Sequence, residues 1–462
     1  MRRSATGMAY EATSAAPRGA ARLRAAAVVG WARLRASESL RVALRAFLWS
    51  RAAVLAVAVY AALTVGPGGL GAANERRYDD SALTQPLGGF GDGMLSPLAH
   101  WDAVWFLGIA DTGYPSAESP RTAFFPLYPL LTRGVAELGG GSRGALLVAA
   151  YLVSLAALLG ALVLLYRLTA LELGRRAAGP AVLLLCVFPA SLFLGAPYSE
   201  SLFLLCSIGA FYAARTGRWA WAGAAAGAAS ATRSAGLLLL LPLVLIYLYG
   251  PRSDRPGERR GVLAGGWRDS LRPVHALRRD AAWLALAPLG LVAYATWLGL
   301  AHGDALAFSG AQEFWGREFA GPLVGAWDGA GAAFDGARQL LSGSTENVYF
   351  EQAGGDPMRV AAINLMLFGF LCFGLVAAVG VLRRLPFAYG AYVIAALMLP
   401  LSYPVAQQPL MSLPRFLLAL FPIFMWLAVV GEERRATLTY AAASAIGLGL
   451  LTVEFAGWRF IA

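Results

Sequence analysis

Apolar residues in this chain come in long runs rather than in one-sided stripes. Such runs fall at 47–66, 144–166, 177–197, 200–214, 219–234, 235–250, 281–301, 359–382, 386–403, 413–431 and 436–456. A bilayer core needs roughly 17–25 apolar residues per helix, whereas a surface helix of a soluble domain keeps a polar face. The pattern predicts an all-α, polytopic membrane protein with about eleven transmembrane helices. AFFPLYPLLTRGVAEL (123–138) is apolar but broken by prolines, and reads as a re-entrant or interfacial segment.

Polar positions then orient the segments. With the N-terminus inside, Arg167/Arg175/Arg176, Arg215/Arg218, eight arginines of 251–280, Arg383/Arg384 and Arg434/Arg435 all fall on the cytoplasmic side. That is the distribution the positive-inside rule demands, and a register error of one helix scrambles it. The expected organisation is a basic cytoplasmic tail (1–46) followed by a transmembrane domain (47–462). Within that domain, 67–143 forms the first extracytoplasmic loop, 251–280 a basic cytoplasmic loop and 302–358 a large extracytoplasmic loop.

Composition narrows the function classes. The 462 residues are 58% hydrophobic and only 14% charged, with a mean hydropathy of +0.58. The net charge of +11 is carried by arginine without any lysine. Those arginines flank apolar segments, so topology accounts for them and no nucleic-acid partner is expected. Cys186, Cys206 and Cys372 lie in apolar runs, and His100, His275 and His302 are far apart, so neither set has metal-ligand spacing. Asp79-Asp80 and Glu432-Glu433 lack the D-x-D spacing that holds a divalent metal in nucleotide-sugar enzymes. No tightly bound metal or other cofactor is expected. A multi-pass cell-membrane protein follows, in the endoplasmic reticulum if the source is eukaryotic.

Chemistry concentrates in HWDAVWFLGIADTGYP (100–115). Trp101, Trp105, Gly108 and Ile109 share a helical stripe, and Gly113-Tyr114-Pro115 is a stop signal. The segment reads as an amphipathic helix on the outer interface with its tryptophans among lipid headgroups. Asp102 stands in the first turn, where the helix dipole favours an anion; that alone is a sufficient structural role. Asp111 is nine residues further on, about half a turn out of phase, so both carboxylates cannot face one cleft. Near the helix C-terminus it needs a compensating cation.

The same stretch, followed by RTAFFPLYPLLTR, resembles the signature of the PIG-V family of membrane mannosyltransferases. The resemblance continues in CVFPASLFLGAPYSESLFLL (186–205), ATRSAGLLLLLPL (231–243) and SLPRFLLALFPIF (412–424). It implies a GT-C glycosyltransferase fold with its acidic catalytic residue in the first extracytoplasmic loop. Donors of that class are sugars on a polyprenyl or dolichyl phosphate, and the acceptor is a glycolipid or glycan hydroxyl. Membrane lipids, the lipid-linked donor and the glycolipid acceptor are the expected partners; oligomeric state is left open. Asp102 is the expected general base in an inverting transfer of mannose.

Residues beside it in the resembling blocks, His100, Trp101, Asp111, Tyr114, Tyr198 and Glu200, are the expected substrate-binding set. Ser199 and Glu200 also make an ordinary helix start. Gln312 and Glu313, beside Trp315 in GAQEFWGREF, suit sugar recognition or a solvated helix equally. Arginine matches phosphate oxygens with its fork, which makes Arg415, Arg233 and Arg121 the candidates for the donor phosphate. Two alternatives keep these membrane helices: a GT-C enzyme using another lipid-phosphate sugar, and a lipid or solute transporter. A transporter predicts ionisable groups at mid-bilayer and broken helices in matched halves.

Overall fold

A computed structural model describes residues 37–255, 273–349, 356–406 and 408–461. Most of the expected tail and the centre of the basic loop lie outside the described residues, and from Glu38 the chain is already helical. The described residues are all-helical apart from an isolated bridge between Arg317 and Val405.

Among the described residues, four helices are long and apolar enough to cross a membrane: Glu38–Thr64, Arg143–Leu173, Pro357–Arg384 and Thr437–Ala456. A fifth span is formed if Arg279–Leu286 and Leu289–His302, bent by 45°, count as one. The other expected segments are helical but shorter, among them Arg175–Val187, Glu200–Arg215, Trp219–Thr232 and Phe421–Glu433. About eleven full-length spans were expected, and the shortfall has a local cause. Pro189 ends one helix and opens the 3-10 turn Pro189–Leu194. At Gly236 the chain folds back so tightly that a Cβ would stand 2.2 Å from the carbonyl carbon of Ala229. Ala419 and Leu420 separate Leu413–Leu418 from Phe421–Glu433, which has Pro422 in its first turn.

These breaks serve a purpose. Irregular backbone at membrane depth is tolerated only inside protein or along a water-filled cavity. Ser199, Arg233, Ser234, Arg415 and Leu420, all at or near breaks, line one common cavity. Carbonyls freed by the Pro189 break are taken up by Arg51, a buried arginine of Glu38–Thr64. It donates to the Cys186 carbonyl at 3.0 Å and the Ser191 carbonyl at 2.6 Å.

Asp102–Thr112 is indeed one helix, but it does not lie on the surface. Ala103, Phe106, Leu107, Gly108, Ile109 and Ala110 are buried, which covers most of its circumference. The amphipathic reading is therefore corrected: Phe106 packs on Phe124, Tyr128 and Tyr198, so this helix is a wall of the bundle. The proline-broken stretch after it forms the short helix Leu127–Glu137.

Candidate active site

The helix Asp102–Thr112 begins in strain. Trp101 has φ 58° and ψ −115°, a conformation an L-residue with a bulky side chain rarely adopts. Such a residue costs on the order of 1–3 kcal/mol and persists only where its surroundings over-determine it. Here they do. The Trp101 ring is packed by Tyr78, Trp458 and Phe460. His100 stacks on Trp458 at 4.1 Å, and its Nδ1 lies 3.1 Å from the Phe455 carbonyl. Tyr198 Oη donates to the His100 carbonyl (2.8 Å) and accepts from the Asp102 N–H (3.2 Å), filling the place of a missing N-cap side chain. Ser412, which opens the helix carrying Arg415, and Trp458 also have positive φ.

The carboxylate so placed meets a buried charge cluster. Asp102 Oδ2 lies 2.8 Å from Arg415 Nη1. Arg415 turns Nε and Nη2 onto Glu200 Oε1 at 3.0 and 2.6 Å, and Arg233 Nη1 reaches the same oxygen at 3.1 Å. Glu200 is fully buried. The Arg415 guanidinium stands over the rings of Phe193 and Tyr198 at 4.9 and 5.0 Å, which fixes its plane. Two carboxylates and two guanidinium groups cancel, as burial requires. Asp102 Oδ1 makes no hydrogen bond among the described residues, and the side chain is 22% exposed. One acceptor oxygen thus faces open space.

That space is a cavity of about 1060 Å³. Asp102, Arg233 and Arg415 line it, together with Trp101, Gln312 and an aromatic wall of Trp105, Phe124, Phe314 and Trp315. The wall is continuous: Trp105 stacks on Phe124 at 6.1 Å and meets Trp315 edge-on at 6.2 Å. Anion, cations and flat apolar faces are the groups a phosphorylated sugar demands. Among the described residues, no three His, Cys, Asp or Glu side chains gather as metal ligands.

Other expected site residues sit elsewhere. Tyr198 and Glu200 lie beneath the cavity, and His100 is buried behind Trp101. Glu313 does not line the cavity, and Tyr114 is bonded to the Phe124 carbonyl at 2.7 Å, outside the lining. Asp111 is at the far end of its helix, where Arg143 reaches it at 3.1 Å and Arg133 donates to its carbonyl at 2.8 Å. Arg121 caps the same end. Its Nη1 donates to the carbonyls of Gly108 and Gly113 and to Thr112 Oγ1, and it does not line the cavity. The three arginines supply the positive charge that a helix C-terminus favours. Arg121→Ala is expected to cost about 1–2 kcal/mol of stability by thermal melting in detergent, by loss of these bonds. The KM for donor stays unchanged; a higher KM at unchanged stability returns Arg121 to the phosphate.

His100 gives a second expectation. A carbonyl only accepts, so Nδ1 carries the proton and the ring is neutral. Burial holds its pKa down at about 4. In the unfolded chain the group returns to about 6.5. Stability is therefore full above pH 6.5 and falls as pH drops toward 4, where the unfolded chain takes up a proton that the native one refuses. The loss amounts to about 3 kcal/mol. Melting curves between pH 7.5 and 4.5 should show this slope, and His100→Phe should flatten it.

Sequence reasoning passed over Arg317, which lines the cavity within the very stretch that supplied Gln312. Its signal was an arginine two residues beyond a tryptophan in an aromatic stretch between apolar runs. Trp458 and Phe455, which carry His100, had no local signal.

Comparison with known proteins places these residues. Residues 71–246 match the family model described as mannosyltransferase (PIG-V). GPI alpha-1,6-mannosyltransferase 2 of Cricetulus griseus is 39% identical over 137 residues, which are 28% of this chain and 27% of that protein. Its Homo sapiens counterpart is 37% identical over 134 residues, with the same shares. The alignment thus spans about a quarter of the length of these relatives. The apo structure of the Archaeoglobus fulgidus oligosaccharyltransferase aligns with 88% of this chain and 56% of that one, at 16% identity and a TM-score of 0.42. Asp102, Tyr198, Glu200 and Arg233 all lie within the stretch that matches the mannosyltransferase (PIG-V) family model.

Proposed function

We propose that the chain is a membrane-embedded mannosyltransferase that moves mannose from a polyprenyl or dolichyl phosphate to a hydroxyl of a glycolipid or glycan. The observation that carries this reading is the Asp102 carboxylate, held by Arg415 with one oxygen free in a cavity of cations and aromatic rings. The acceptor hydroxyl attacks the anomeric carbon as the bond from that carbon to the phosphate oxygen breaks. Asp102 Oδ1 takes the hydroxyl proton, and the electron pair leaves with the polyprenyl phosphate. A phosphate leaves without protonation, so a single base suffices and no general acid is required. Attack opposite the leaving group inverts a β-linked donor to an α-linked product. The names of the relatives specify an α-1,6 linkage, which we carry to this chain as part of the proposal.

Arg415 turns the carboxylate toward the acceptor while its charge is shared with Glu200. The aromatic wall excludes water, which would otherwise compete as acceptor. The reading places the cavity on the extracytoplasmic side and the N-terminus in the cytoplasm, which the arginine distribution supports. Incubation of the purified chain with labelled polyprenyl-phosphate mannose and a membrane lipid extract tests it. A labelled, α-mannosidase-sensitive glycolipid is the expected product; label remaining wholly on the donor overturns the reading.

A further inference from the structure

Pairing within the cavity leaves one inner cation without a carboxylate. Arg415 serves Asp102 and Glu200, Arg233 serves Glu200, and Arg359 is bridged to Glu454. Arg77 is exposed beside the Tyr78 ring. Arg317 alone among the inner arginines forms no ion pair among the described residues. Its Nη2 donates to the Met411 carbonyl at 3.2 Å, and its guanidinium stands 5.8 Å from the centre of the Phe416 ring.

The backbone holds this side chain in place from two directions. Gly316, with φ 65°, makes the left-handed turn that lets the Arg317 N–H return to the Gln312 carbonyl at 3.2 Å. An antiparallel bridge to Val405 ties the residue to the segment ahead of Ser412 and Arg415. Burial, then the neighbouring Arg415, lower its pKa to about 10, and Asp102, which forms no ion pair with it, offsets this only in part, so at neutral pH a destabilised positive charge remains. A charge left so poorly compensated in a cleft is a mark of a ligand site.

We propose that Arg317 binds the phosphate group of a lipid-linked substrate, with Gln312 and Trp315 of the same turn flanking that subsite. The chemistry is that of a phosphate ester: its oxygens match the planar guanidinium fork, and the anion supplies the counter-charge that Arg317 lacks. Arg415 is then an internal counter-ion that positions Asp102, with Arg317 as the phosphate anchor. This assignment rests on the lipid-phosphate reading of the cavity.

The test uses the full chain in detergent micelles, with farnesyl phosphate as probe and farnesol as its uncharged control, read by quenching of tryptophan emission. Arg317→Gln is expected to weaken farnesyl phosphate at least tenfold and to leave farnesol unchanged, while Arg317→Lys keeps part of the affinity. Equal farnesyl phosphate affinity in Arg317→Gln and the parent overturns the proposal, as does an equal loss of farnesol. Binding needs no turnover, so the probe reads this site independently of sugar transfer. A chain that binds through Arg317 but transfers no sugar sinks the proposed function and leaves this site standing. In turnover, a raised KM for the mannosyl donor assigns the phosphate to the donor, and a raised KM for the acceptor lipid assigns it to the acceptor headgroup.

Discussion

Asp102→Asn is expected to lower mannosyl transfer by a factor of about 10² to 10⁴ while the protein still folds, the range that loss of a general base produces. Asparagine keeps the shape and an oxygen for Arg415, but the amide has no useful basicity toward a hydroxyl proton. Charge is a complication, because the substitution also removes one of two anions facing two guanidinium groups. Asp102→Glu separates the effects. Glutamate keeps the charge and can keep the pairing with Arg415, so stability stays close to the parent. The extra methylene moves the carboxylate by more than 1 Å, and a displacement of that size at the reacting atoms costs about 10²-fold in rate. Two inactive variants, one of them with parental melting, assign the loss to chemistry. Unchanged transfer by Asp102→Asn removes the residue from the reaction.

What the sequence made legible has a physical pattern. Helical phase alone separated Asp102 from Asp111, and the structure puts them at opposite ends of one helix with different partners. The compensation that Asp111 needs comes from Arg143, whose location 32 residues on could not be read from the stretch itself. The reading of full-length spans failed where breaks occur. A hydropathy window counts apolar residues and does not register that Pro189 or the close approach at Gly236 ends a helix. The surface helix failed for a related reason: tryptophans at helical spacing suit a headgroup layer and a packed aromatic core equally, and only Phe455, Trp458 and Phe460 at the far end of the chain decide. Arginine roles were the least legible. An arginine beside an apolar run can cap a helix, pair with a carboxylate or await a ligand, and Arg121, Arg415 and Arg317 do each in turn. Partners remote in sequence make that choice.

Glu200 illustrates the point with the largest expected effect on stability. It was legible as an ordinary residue of a first helical turn, yet its Oε1 accepts twice from Arg415 and is ion-paired with Arg233, at full burial. Glu200→Gln keeps the volume and removes the charge, which leaves the buried Arg415 and the partly buried Arg233 against Asp102 alone. Breaking a buried ion pair from one side costs about 3–5 kcal/mol, since the orphaned charge cannot return to water. We expect a lower melting temperature in detergent and loss of transfer, because Arg415 no longer has the anchor that aims it at Asp102. Glu200→Gln with Arg233→Gln restores the balance of one cation to one anion. The double variant should regain much of the melting temperature, a coupling of the size that contacting charges show. It should regain little transfer, since one of Arg415's two carboxylate partners is still missing. A Glu200→Gln protein that melts with the parent would show that Arg415 is held by its aromatic neighbours instead. The cation–π contacts with Phe193 and Tyr198, each worth about 0.5–2 kcal/mol, are too weak to do that alone.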